Sequence, residues 1–232
     1  MVSIVIPVLN EEKRIGRTLD SIFEFMRTAP FSYEILIVDD GSTDMTKDVV
    51  SHFTRKSQQV RFVSLGSHQG KGAAVKCGML HAVGDLRLFM DADGSTDISE
   101  ISKLIPYIEK GYDVVVGSRT IAGAQIVKTQ PIAREFLGAL FRMIVALVVP
   151  TGIRDTQNGF KLFSKKAAET IFPSVTVEGW CFDLEVLALA KKRNLQIVEV
   201  PIRWSNDAES RFRILDSLTM LRDLKVVARQ TR

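Results

Sequence analysis

Apolar and polar positions alternate in a regular order along the first half of the chain. The runs "VSIVIPV" (2–8), "YEILIVDD" (33–40), "VRFVSL" (60–65), "LRLFM" (86–90) and "YDVVVGSR" (112–119) are short, apolar and bounded by turn residues. That is the pattern of buried strands. Between them lie helical patterns. "EEKRIGRTLDSIFEFMR" carries Ile15, Leu19, Ile22 and Met26 on one face. "STDMTKDVVSHFTRK" has Ser42 or Thr43 as its expected N-cap, and "GKGAAVKCGMLHAV" and "ISEISKLIPYIEK" follow, the last despite Pro106. Strand and helix in strict alternation predict an α/β fold, a largely parallel sheet with helices on both faces. Ligands of such sheets bind beyond the carboxyl ends of the strands.

After Arg119 the pattern changes. "TIAGAQIVKTQ" (120–130) has little periodicity and reads as a mobile loop, followed by an apolar helix over about 131–149. Its segment "FLGALFRMIVALVVPTGI" (136–153) is broken by Arg142 and ended by Pro150. No uninterrupted apolar run reaches the roughly 18 residues of a membrane span. A buried core helix and a half-inserted interfacial helix both fit this segment. "GIRDTQNGFKLFSKKAAETIF", "GWCFDLEVLALAKKRN" and a strand "QIVEVPIRW" come next. In the tail Arg211, Arg213, Arg222, Lys225, Arg229 and Arg232 outnumber the acids, and Leu215, Leu218, Leu221 and Leu224 recur at helical spacing. Such a helix suits an anionic membrane face, or packs on the domain with its charges solvated. Without repeats or a linker, residues 1–232 read as a single domain with a C-terminal elaboration.

Composition narrows the function classes. With a formal net charge of +4 over 232 residues, nothing in the charge balance points to nucleic acid. Cys77 and Cys181 lie far apart and read as reduced thiols of a cytosolic protein. The three histidines have no metal-ligand spacing. The opening "MVSIVIPVLNEE" has no basic n-region, so no signal peptide is expected. A dinucleotide-type G-x-G-x-x-G is missing after the first strand, which disfavours a nicotinamide enzyme.

Polar residues gather where the strands end: Pro7, Leu9, Asn10 and Glu11; Asp39 and Asp40; Asp91, Ala92 and Asp93; and Arg119. Asp91 and Asp93, two apart on an extended backbone, are expected to face one space. There they hold Mg²⁺ or Mn²⁺ beside a diphosphate, or they are solvated acids in a turn with Asp97 capping the next helix. Asp39 and Asp40 offer acceptors for a ribose or base N–H, while one of them caps the turn at Ser42. Gly70-Lys71-Gly72, at a helix start, reads as an anion site of low specificity.

Taken together, "VSIVIPVLNEE", "EILIVDDGSTD", "GKGAAV" and "MDADGS" resemble the family 2 glycosyltransferases of the GT-A fold. "VVVGSR", "GIRDTQNGFKLFSKKAAETIF", "GWCFDLEVLALA" and "EVPIRW" narrow the resemblance to the dolichyl-phosphate β-glucosyltransferases and other polyprenyl-phosphate sugar transferases. It covers nearly the whole chain, although Asn158 stands where the eukaryotic glucosyl enzymes tend to have Cys. The resemblance implies that Pro7, Leu9, Asn10, Glu11, Asp39 and Asp40 hold the nucleoside and that Lys71 lines its pocket. Asp91, Ala92 and Asp93 would form the diphosphate motif, with Asp91 and Asp93 on a divalent metal. Arg119 and Arg134 would receive a lipid phosphate, and Asp155 would be an active-site acid. As an acid it orients a cation or the sugar, acts as a base, or merely pairs with Arg154. The implied reaction is inverting transfer of a hexose, glucose from UDP-glucose first and mannose from GDP-mannose second, to dolichyl or polyprenyl phosphate. Residues 1–120 would form the donor half and 121–232 the acceptor and membrane-facing half. The expected location is peripheral, on the cytoplasmic face of a membrane, with an anchoring partner or a second copy possible. A saccharide hydroxyl as acceptor, or a nucleotide-sugar-binding subunit without turnover, are the rival readings.

Overall fold

Strand β1 (Val2–Val8) is buried at every position, as the run "VSIVIPV" demands, and it lies at the centre of the sheet. The computed structural model describes residues 1–128, 143–145, 148–206 and 216–230. Its seven-stranded sheet has the order β3-β2-β1-β4-β7-β5-β8, with β2 Tyr33–Asp39, β3 Val60–Ser64, β4 Leu86–Met90, β5 Val114–Ser118, β7 Phe160–Ser164 and β8 Ile197–Pro201. Period-two alternation sends Val5, Leu36 and Val38 to one face and Ile4, Ile6, Ile35 and Ile37 to the other. The first face packs on α3 (Lys71–His81), α5 (Lys165–Ile171), α6 (Phe182–Lys192) and α7 (Asp216–Gln230). The second packs on α1 (Ile15–Met26), α2 (Thr46–Lys56) and α4 (Ile101–Glu109). Because both faces are covered, the strands read as continuous apolar runs.

All neighbours in the sheet are parallel except β7, which runs antiparallel between β4 and β5. This strand has no counterpart in the sequence reading, and it shapes the site. Its register sets Phe160 opposite Met90, so the loop before it, 155–159, arrives at the carboxyl ends of β4 and β5. The backbone N–H of Asp91 donates to the Gly159 carbonyl at 3.0 Å.

Two local expectations are corrected. The stretch read as a mobile loop contains β6 (Gln125–Lys128), which pairs in parallel with β9 (Arg203–Ser205) in a second, two-stranded sheet. A strand made by a partner distant in sequence leaves no local periodicity to read. Helix α2 starts at Thr46, later than a Ser42 or Thr43 cap allows. The Asn10 amide oxygen takes the Thr43 and Asp44 N–H groups instead, and the Asp44 carboxylate accepts from Thr46 N at 3.0 Å. The Asp97 cap, by contrast, is as expected, with Oδ1 accepting from Ser99 N at 2.9 Å.

The C-terminal helix packs on the domain. Met220, Leu224 and Val227 are buried, leaving Arg222, Lys225 and Arg229 on the solvent face. Of the apolar segment, Val145 and Val149 enter the core, whereas Met143 and Val148 are exposed; the rest of it lies outside the described residues. Among the described residues no helix is long and apolar enough to cross a membrane.

Helix α3 comes unusually close to the sheet at Gly78, where a methyl group would run into Val5 and Val38. In an exposed helix Gly→Ala adds roughly 1 kcal/mol of stability. Here Gly78→Ala is expected to cost about 2 kcal/mol through overpacking, read as a lower denaturation midpoint with an unchanged slope. A raised midpoint would contradict the packing.

Candidate active site

The first three strand ends build a rim whose polar side chains mostly bond one another. Asn10 adopts a positive φ of 55°, which a short amide tolerates, and its backbone N–H donates to Ser42 Oγ at 2.8 Å. Its side chain thereby staples the β1 loop to the β2 loop. Glu11 is buried and takes the guanidinium of Arg14 with two oxygens, both at 2.6 Å. Pro7 is the last but one residue of β1, beyond the point where β4 pairs with that strand, so its missing N–H disturbs no ladder there. Asp39 caps the turn at Ser42, as one of the two acids was expected to. Asp40, 3% exposed, accepts from Gln69 N and Gly70 N and lies 2.7 Å from His68 Nδ1. Leu9 and Ala92 sit at the same strand ends, Ala92 with its carbonyl accepting from Thr18 Oγ1 at 2.7 Å.

The expected anion site at the start of α3 is not available. Gly72 N and Ala73 N both donate to the Glu178 carbonyl, and Gly70 N goes to Asp40. The N–H groups that would face an anion are spent on the loop before α6.

Lys71 itself is central. Its Nζ lies 2.6 Å from Asp91 Oδ1, between the rings of Phe89 and Trp180, whose centroids are 5.3 and 5.2 Å away. Burial works to lower its pKa, but the carboxylates of Asp91, Asp183 and Asp93 outweigh that and hold it above the ordinary lysine value. Asp91 and Asp93 do not extend from a strand: Ala92 and Asp93 form a turn. Asp91 therefore looks toward Lys71, while Asp93 lines a cavity of about 330 Å³ with Arg14, Arg17, Thr18, Asp97 and Ser205. Burial first, and the like charge of Asp91 second, push the Asp93 carboxyl up. Two hard oxygen donors whose mutual repulsion is already felt suit a small divalent cation. Among the described residues no third His, Cys, Asp or Glu completes a metal cluster.

Behind Phe89 lies a pair that the sequence reading passed over. Lys161, wholly buried on β7, puts its ammonium on Asp183 of α6 and on the Asn158 carbonyl. The two ends of this pair stand in the quoted runs "DTQNGFK" and "WCFD", but nothing local links them. Removing one partner of such a pair strands the other charge. Gly159 is required beside it, since a Cβ there would collide with the Asp91 carboxylate.

Across the rim, Asp155 holds Arg119. Its Oδ2 accepts from Arg119 N and Nε, both at 2.8 Å, and Oδ1 from NH2 at 2.7 Å. Asp155 is 1% exposed, and Glu199 accepts its backbone N–H and that of Arg154. Pairing with Arg154, one sequence alternative, is thus corrected. Burial works to raise the Asp155 carboxyl, yet Arg119 more than offsets it and holds the acid below the ordinary range, so it is a poor base. The guanidinium also lies 5.3 Å from the Trp204 ring. Beside it, Thr120, Met143, Pro150, Ile153 and Arg154 line a second cavity of about 520 Å³. Arg134 lies outside the described residues.

A parallel sheet with one reversed strand, carrying paired acids at the end of β4, is the arrangement of a GT-A nucleotide-sugar transferase. Residues 3–172 match the family model described as glycosyl transferase family 2, and the chain belongs to that family. Among similar proteins, a dolichyl-phosphate beta-glucosyltransferase of Trichomonas vaginalis is 38% identical over 97% of this chain and 69% of its own length. That of Saccharomyces cerevisiae is 37% identical, over 97% of this chain and 73% of its own. The Homo sapiens protein of the same name is 34% identical, over 88% and 67%. Glucosyl-3-phosphoglycerate synthase of Mycobacterium tuberculosis, solved with Mn²⁺, UDP-glucose and phosphoglyceric acid, shares the fold with a TM-score of 0.75 at 21% identity, covering 100% of this chain and 79% of that one.

The Asp155–Arg119 pair carries a pH signature. A carboxyl held below its unfolded value stabilises above the ordinary 3.8 and loses that contribution as pH falls through its folded value. Asp155→Asn should cost about 2 kcal/mol at neutral pH, and its deficit against the wild type should shrink as pH drops below the carboxylate range. A deficit constant down to pH about 3 would contradict the pairing.

Proposed function

We propose that this family 2 glycosyltransferase moves glucose from UDP-glucose to dolichyl or polyprenyl phosphate, inverting the anomeric centre. The observation that carries the reading is the juxtaposition on one rim of the Asp91–Asp93 acids and a guanidinium pre-set by Asp155. The names of the relatives support it. Residues 1–120 form the donor half, with Pro7, Leu9, Asn10, Glu11, Asp39 and Asp40 shaping the nucleoside pocket. Residues 121–232 form the acceptor half.

A lipid monophosphate, with a second pKa of about 6, is largely a dianion at neutral pH. It attacks C1 of the sugar without a strong general base, and the C1–O bond to the nucleotide breaks with its electron pair leaving on the diphosphate. What the protein must supply is positive charge between two anions. Arg119 faces the acceptor phosphate, its planar fork oriented by Asp155 and Trp204; Arg134 is its proposed partner. Lys71 faces the diphosphate. Asp91 and Asp93 would hold a divalent ion, which when bound would supply positive charge to the departing diphosphate.

The second cavity, bordered by Met143 and Ile153 beside Arg119, suits the first isoprene units. Exposed Ile126, Val127, Met143 and Val148 favour peripheral contact with a membrane, taken here as its cytoplasmic leaflet. With Met220, Leu224 and Val227 of α7 packed in the core, Arg222, Lys225 and Arg229 remain exposed for anionic headgroups.

Incubation with radiolabelled UDP-glucose and polyprenyl phosphate is expected to move label into the organic phase. Label appearing only in soluble product, or only with GDP-mannose, would overturn the reading. Asp93→Ala should remove the Mn²⁺-dependent part of the thermal shift given by UDP, because a ligand raises apparent stability only as far as it binds the native state. An unchanged Mn²⁺-dependent shift would exclude Asp93 from the metal site.

A further inference from the structure

The Asp91 carboxylate is hemmed in by Gly159 and by a lysine. Oδ2 lies against Gly159, so closely that no side chain fits at that position. Oδ1, which also crowds Gly159, meets the Lys71 ammonium at 2.6 Å, so a cation that takes this carboxylate must compete with Lys71. That ammonium is held over the faces of Phe89 and Trp180, two rings that favour a cation at this place. A divalent cation and an ammonium on one oxygen repel each other, so the two compete for it.

We propose that Lys71 is the resident counter-ion of Asp91 and that a divalent metal takes this carboxylate only when the donor's diphosphate draws the ammonium away. The inference rests on the proposed donor site, and it assigns Lys71 a part beyond lining that site: it couples metal capture to nucleotide arrival. The two rings set the range of the movement, and the buried Asp183–Lys161 pair behind Phe89 keeps the surrounding charge fixed while it happens. Metal and nucleotide then raise each other's affinity by one common factor, as linkage requires.

The test is a titration of the 232-residue chain with Mn²⁺ alone, followed by the EPR signal of free manganese, with and without UDP. The wild type should bind Mn²⁺ weakly alone and far better with UDP. Lys71→Met, which keeps the length of the side chain but removes its charge, should bind Mn²⁺ alone about tenfold more tightly, with a smaller enhancement by UDP. Lys71→Arg retains a cation and should stay weak. Equal or weaker binding of Mn²⁺ alone to Lys71→Met overturns the proposal while leaving the metal site standing, and so does tightening in Lys71→Arg as large as in Lys71→Met. No Mn²⁺ binding to any chain even with UDP, while UDP itself still binds, overturns the metal assignment and the coupling with it. Circular dichroism of each variant separates these outcomes from misfolding.

Discussion

The site depends on one insertion: β7 enters the sheet backwards, between β4 and β5. A strand running in the common direction would carry its preceding loop to the far edge of the sheet. Reversed, it delivers Asp155, Asn158, Gly159 and Lys161 to the edge where β4 presents Asp91 and β5 presents Arg119. Three ion pairs then meet near the centre. Asp155 holds Arg119, Lys71 meets Asp91, and Asp183 meets Lys161. Buried ion pairs of this kind are poor sources of net stability, because desolvation consumes most of the attraction. Their arrangement makes sense as positioning: two of them fix the direction of a rim cation, and the buried Lys161–Asp183 pair ties β7 to α6 behind them.

Such an arrangement separates two jobs that a single cation could not do. In the proposed reaction Lys71, held over Phe89 and Trp180, would serve the nucleotide side, while Arg119, clamped by three hydrogen bonds to a buried acid, would serve the acceptor side. The first would follow charge as it moves from sugar linkage to diphosphate. The clamped one cannot, and its rigidity limits the entropy lost when a phosphate docks. The polar groups at the ends of β1 and β2 play a third part, spending their hydrogen bonds on one another and on neighbouring loops, which would give the proposed nucleoside pocket fixed walls.

Much of this was legible in the chain. Five strands and four helices of the first half follow from alternation and spacing, and the acids at their ends were found because polar residues interrupt apolar runs there. The reversed strand was not legible. "FKLFS" is short, buried on both faces and continuous with the helical "KKAAET", so neither period nor punctuation marks it. The Lys161–Asp183 pair vanished with it, since its two residues meet only through that topology. Likewise the helix start at Gly70-Lys71-Gly72 resembles an anion site until the Glu178 carbonyl, brought by the loop before α6, occupies its N–H groups. The Leu224 spacing did foretell an amphipathic C-terminal helix; only its partner, α6, was hidden.

The central claim is that the acids after β4 form a cation site which protein and substrate share in turn. Anomalous scattering from a crystal soaked with Mn²⁺ and UDP tests it most directly. The manganese peak should lie between the Asp91 and Asp93 carboxylates and the nucleotide's phosphates, with the Lys71 ammonium moved off Asp91 Oδ1. A peak elsewhere, with the Lys71–Asp91 contact intact beside bound UDP, would contradict the account.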